Sequence, residues 1–174
     1  MARQLVQAAE IGSRPGTETD TQQPLTLVMP IEFERVEELR ATLRKPEVSA
    51  ISQAALERVG TVHSSRFVIL QDDDQRWAKL LVIAIFDGAV EDYIEAFARE
   101  LNMVFNALFR FVIETEDKPT LPVEGDVETF INYVKGRNVP PAGGRTFSAY
   151  PGLTALDIYE AARPRHDAAP ATRR

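Results

Sequence analysis

The sequence predicts an α+β domain with elements in the order β-α-β-β-α-(α)-β-α. Three observations carry that expectation. Residues 61–70 (TVHSSRFVIL) and 79–86 (KLLVIAIF) flank the polar turn QDDDQR, which is the pattern of an antiparallel hairpin. Val90, Ile94, Phe97, Leu101, Val104 and Leu108 then recur at helical spacing and form one continuous apolar stripe. With 174 residues, 44 % of them hydrophobic, the chain is long enough to bury one sizeable core.

Residues 1–24 end in GSRPGTETDTQQP, rich in Gly, Pro, Thr and Gln, and read as a flexible N-terminal segment. A first strand is expected at 25–29. Residues 32–45 follow as a helix, with Phe33, Val36, Leu39 and Leu43 on one face and Pro46 as its stop. A shorter helical piece at 50–59 leads to Gly60, and the hairpin comes next. The longest helix is expected at 89–109, its stripe widened by Tyr93, Phe105 and Phe109. Asp126 can cap a further helix whose buried face is Val127, Phe130, Ile131 and Val134, with Gly136 at its end. A last short strand is expected at 146–150. Thr154 then caps a terminal helix, with Asp157 at the third helical position and Leu153 able to staple onto Ile158. The single domain is expected to span 25–162, and 163–174 to form a flexible tail. Without the inserted helix and the terminal one, a split βαβ unit remains. This is the ferredoxin-like arrangement, with four antiparallel strands and two main helices on one face.

The other sheet face is the informative one. Side chains alternate along a strand. On 79–86, Leu80, Val82, Ala84 and Phe86 share one face, while Leu81, Ile83 and Ile85 share the other with Lys79. A sheet with water on one side shows cleaner alternation, so the second face is expected to be covered. A partner subunit's sheet is the simplest cover, closing a barrel across a two-fold axis. The alternative cover is the inserted segment 111–145 of the same chain.

Composition narrows the function. The net charge of -6, from 26 acidic and 20 basic residues, argues against a nucleic-acid surface. The absence of cysteine excludes disulfides, thiolate nucleophiles and thiolate metal sites. No apolar run approaches a membrane span, and the start MARQLVQAAEIGSRPG has no long apolar signal region. A cytoplasmic protein is expected.

The stretches GTVHSSRFVIL, LLVIAIFDGAVEDYIEAF and FSAYPGLT resemble members of the dimeric α+β-barrel superfamily. Among these are uncharacterised ferredoxin-like proteins linked to haem peroxidases or catalases. The resemblance implies a homodimer or a larger even-numbered oligomer closing a barrel. The superfamily also holds haem peroxidases, chlorite dismutases and haem-degrading monooxygenases. Its haem enzymes often use a histidine as axial ligand, which here would fall to His63.

Three residues are candidates for a ligand pocket. His63 lies among polar neighbours in a predicted strand, as a proton acceptor, a haem ligand or a hydrogen-bonded core histidine. Arg66, placed by alternation on the opposite face, suits an anionic group or an acidic partner. Tyr150 can turn its hydroxyl into a cavity or simply pack. Asp87 and Gly88 join strand to long helix. There the carboxylate is expected to cap that helix, and glycine to allow the sharp exit. Asp72, Asp73 and Asp74 read as a solvated turn. No nucleophile, base and orienting group can be assembled from the sequence. The resulting expectation is a noncatalytic or accessory dimeric barrel protein with a small-molecule ligand. The alternative is an oxidoreductase, either a peroxidase-like enzyme with haem as cofactor or a cofactor-free monooxygenase.

Overall fold

The computed structural model describes residues 21–74, 76–141 and 148–162. Of the expected flexible segment 1–24, residues 1–20 lie outside them, while Gln22–Pro24 belong to β1; the tail 163–174 and residues 146–147 of the predicted strand 146–150 also lie outside. The elements are β1 (Gln22–Ile31), α1 (Val36–Leu43), α2 (Pro46–Val59), β2 (Val62–Gln71), β3 (Ala78–Asp87), α3 (Val90–Glu100), α4 (Asn102–Phe109), α5 (Val127–Arg137) and α6 (Ala155–Ala162). Short 3-10 turns at Phe33–Arg35 and Val123–Gly125 precede α1 and α5.

The three strands form one antiparallel sheet in the order β1-β3-β2. Leu27 and Phe67 both pair with Val82, and Met29 and Ile69 with Leu80. These residues share the face that carries the helices. Leu25, Leu27, Met29 and Ile31 of β1 and Leu80, Val82, Ala84 and Phe86 of β3 are buried there. Tyr93 stacks on Phe86 at 3.8 Å between ring centroids. Phe105, Phe109, Phe130 and Tyr133 extend the aromatic layer from α4 to α5. Gly60 closes α2 in the left-handed region at φ 69°, where a side chain would be strained.

The long helix expected at 89–109 is two helices that meet at Leu101, whose backbone leaves helical values at φ -109°, ψ 16°. The Asn102 carboxamide accepts from the Met103 amide, a local bond of the kind that competes with a continuing helix. The apolar stripe continues across the break, because Ile94, Phe97, Leu101, Val104 and Leu108 are all buried.

The ferredoxin-like barrel expectation is corrected. The sheet has three strands among the described residues and stays open. Among the described residues no fourth strand runs along β1, and its outer edge is met by single bridges, Leu27 with Asn138 and Ile31 with Val112. The outward carbonyls of Thr26 and Pro30 accept from the amides of Val139 at 2.8 Å and Ile113 at 3.0 Å. By the same alternation Pro24 and Pro30 point their imide nitrogens outward and have no N–H to offer, so a full ladder cannot form on this edge. Ser148 to Tyr150 are not strand.

The described part of the inserted segment, residues 111–141, does not cover the second sheet face either. Phe111, Val112, Val123, Phe130, Tyr133 and Val134 belong to the core on the helix side. Leu81, Ile83 and Ile85 of β3, with Val28 of β1 and Val68 of β2, remain half-buried on the open face, and Leu70 is exposed.

Candidate functional site

At one end of the open face, the start of β1, the start of β2, the end of β3 and the segment 148–162 converge. Gln22 opens β1 and is the buried polar residue among the described residues. Its side-chain amide donates to the carbonyls of Tyr150 and Leu153, both at 2.9 Å. The Thr21 hydroxyl donates to the Pro151 carbonyl. These bonds hold the approach to α6 against the sheet.

A β-bulge sets the next residue. The β2–β3 register shifts between Val62 and Ser64, and a bulge of this kind re-aims a side chain. Strict alternation would send His63 to the helix side with Ser65 and Phe67. Instead its Nε2 lies 2.7 Å from Asp87 Oδ1, with only 12 % and 9 % of the two side chains exposed. The other Asp87 oxygen accepts from the Ala155 amide at 2.7 Å. Asp87 therefore does not cap the helix that follows it in sequence. The residue before α3, Ala89, provides no side-chain cap, and the carboxylate serves the N-terminus of α6 instead. Gly88 makes the turn away from β3 at φ 92°.

The start of α6 is satisfied a second time. Asp157 accepts from the Thr154 amide at 2.9 Å and hydroxyl at 2.7 Å, and Thr154 Oγ1 accepts from the Asp157 amide at 3.1 Å. This is a reciprocal capping box. The Thr154 hydroxyl, and after it the Thr154 amide, hold the Asp157 carboxyl below its ordinary range. Asp126 stands at the N-terminal boundary of α5, but its side chain makes no capping bond.

The tautomer of His63 follows from this geometry. An ionised carboxylate only accepts, so Nε2 carries the proton shared with Asp87. In the neutral ring Nδ1 is then an acceptor. Nδ1 is bonded to no described residue. It is also absent from the buried unpartnered atoms, which are Ser52 Oγ, Tyr93 Oη, Tyr133 Oη and Arg137 Nε. The nitrogen is thus open to the surrounding space.

Two cavities flank α6 and share His63 and Ser64. The smaller, about 210 Å³, is also lined by Gln22, Ile85, Tyr150 and Ile158. The larger, about 410 Å³, lies between α2, the start of β2 and α6. Of the three pocket candidates, the structure brings His63 and Tyr150 to one cavity, where Tyr150 is largely exposed and its carbonyl is held by Gln22. Arg66 lines neither cavity. It is exposed on the open sheet face beside Ile83 and has no ion-pair partner among the described residues. The bulge thus leaves His63 and Arg66 on the same side of the sheet, not on opposite sides. The role of Gln22 carried no local sequence signal, since its bonds reach Tyr150 and Leu153, more than 120 residues away.

Comparison with protein-family models, with curated proteins and with solved structures finds no match. The resemblance to the dimeric α+β-barrel superfamily is therefore not supported, and the open three-stranded sheet contradicts it. The haem and oxidoreductase expectations are corrected with it. Among the described residues no group of three or more His, Asp or Glu side chains is placed to hold a metal ion. His63 and Arg66, the pair a peroxidase-like site would use, share neither cavity. What stands is a small α+β domain with an open sheet. None of its described helices is long and apolar enough to cross a membrane.

Proposed function

We propose that this chain is a noncatalytic, accessory domain that works as a homodimer or a larger even-numbered assembly, with the open sheet faces of two copies packed together. The observation that carries the reading is the apolar open face. Leu81, Ile83 and Ile85 run along its central strand, flanked by Val28 and Val68. Five aliphatic side chains on a sheet face are a costly surface to leave in water. Two such faces packed at the usual spacing of about 10 Å would remove them from it. Residues 111–113 and 138–139 occupy the outer edge of β1, which favours face-to-face over edge-to-edge association. The proposed setting is the cytoplasm, in keeping with a chain that has no cysteine.

The cysteine-free sequence allows a direct test. A thiol introduced by Ile83→Cys is expected to react slowly with a maleimide at high protein concentration and faster on dilution. One introduced by Ser49→Cys, on exposed α2, should react at a constant rate. Equal, concentration-independent reactivity at both positions would end the proposal.

A further inference from the structure

We propose that the cavity between α2, the start of β2 and α6 binds a small, neutral, mostly apolar molecule with a single hydrogen-bond donor, of the phenol class, whose donor is accepted by His63 Nδ1. The inference stands apart from the assembly proposed above, because its residues lie at one end of the open face, beyond Ile83.

The size and lining of the cavity define the ligand. At about 410 Å³ it lies within the range of small-molecule sites, which pair apolar walls with a few fixed polar groups. Leu56, Val62, Leu156 and Tyr159 provide the apolar walls, and His63 lies at the sheet end. Leu156 and Tyr159 are 56 % and 57 % exposed although both line this space. Leu156 is an apolar side chain at the border of a volume that no described residue fills, and a flat ring of matching size would cover it.

The polar groups set the charge. The lining contains no Lys or Arg, and its one acid, Glu57, is exposed at the rim and accepts from Gln53 at 2.9 Å. A carboxylate or phosphate ligand would meet no cation. A cationic ligand would gain little from an exposed carboxylate and would pay for desolvation. Gln53, Ser64 and the Tyr159 hydroxyl add neutral polar groups to the lining, and His63 is the one held in place by a buried carboxylate. Asp87 holds the ring through Nε2; in the neutral ring Nδ1 is then an acceptor, and the complementary ligand group is a hydroxyl or N–H donor. Ring, tautomer and acceptor direction are set before any ligand arrives, the arrangement that lowers the ordering cost of binding.

The test uses the full chain and a matched pair of probes, 2-naphthol and its methyl ether 2-methoxynaphthalene. They share the ring system and differ in the donor. Titration followed by amide chemical shifts is expected to place 2-naphthol against residues 53–63 and 155–159. The ether should bind roughly tenfold more weakly, the loss of about one hydrogen bond. His63→Leu is expected to bring the two probes to equal, weak affinity. Leu156→Trp leaves His63 in place and adds bulk to the cavity wall; it is expected to abolish binding of both, so the site remains testable if the His63 variant does not fold. Equal affinity of the two probes for the wild-type chain, shifts located elsewhere, or no binding at millimolar probe would each overturn the proposal.

Discussion

Replacing Asp87 by alanine removes one carboxylate and strands two donors in different elements, the His63 imidazole and the first amide of α6. Hydrogen bonds to a charged group contribute roughly 1.5–3 kcal/mol each, so a rigid structure would lose about 3–6 kcal/mol. The structure is not rigid in this respect. Helix α6 contributes no buried residue, so it can leave the sheet and let water satisfy both donors. Its undocking free energy therefore caps the global loss, which we place at roughly 1–2 kcal/mol, the range for one lost helix cap. The damage should be local. Native-state hydrogen exchange is expected to lose the protection of the amides after Thr154 while the amides of β1 and β3 keep theirs, and the urea midpoint should fall modestly. Asp87→Asn keeps one carbonyl oxygen for Ala155 and should lie between alanine and wild type. Unchanged protection in α6, or a loss above about 4 kcal/mol spread over the whole sheet, would refute the view that Asp87 ties α6 to an otherwise independent core.

Two further outcomes concern the core and the turn. Gly88 has open space where a Cβ would stand, so Gly88→Ala costs only backbone strain at φ 92°, roughly 1–2 kcal/mol, measurable as a lower urea midpoint without loss of secondary structure. Burial raises the Tyr93 hydroxyl well above its ordinary value and pushes that of Tyr133 up to about 12. The folded state thus favours the protonated forms of both rings. Their contribution is complete below the ordinary tyrosine value of about 10 and is lost as pH climbs through 12 and beyond. Because Tyr93 Oη is buried without a partner, Tyr93→Phe should leave stability at pH 7 unchanged or raised by up to about 1 kcal/mol. The same variant should flatten the alkaline fall of the urea midpoint between pH 9.5 and 11.5, and an equally steep fall would contradict that assignment.

The hairpin and the helix stripes were legible because they are local patterns. Alternation fixed both faces of β3 residue by residue, and the stripe from Val90 to Leu108 marked the buried side of two helices even where one was expected. The fourth strand was misread because the edge of β1 is governed by Pro24 and Pro30, whose missing donors matter only once the pairing direction is known. The His63 end was misread for a different reason. A one-residue bulge inverts a face, and no composition signal marks it. Asp87 beside Gly88 looks like the cap of its own helix, yet its carboxylate reaches Ala155, 68 residues on. Thr154 and Asp157 were legible as a pair because a capping box is written within four residues.

Sedimentation equilibrium of the wild-type chain beside Ile83→Lys is the most direct test of whether the open sheet face joins two copies. The wild type is expected to sediment as twice the 19.4 kDa chain, or a larger even multiple, at micromolar concentration. Ile83→Lys should dissociate to single chains that stay folded, since a lysine buried in the interface costs about 3 kcal/mol or more, at least a hundredfold in dissociation constant. A wild-type protein of single-chain mass across the concentration range, or an Ile83→Lys variant that assembles as tightly, would contradict it.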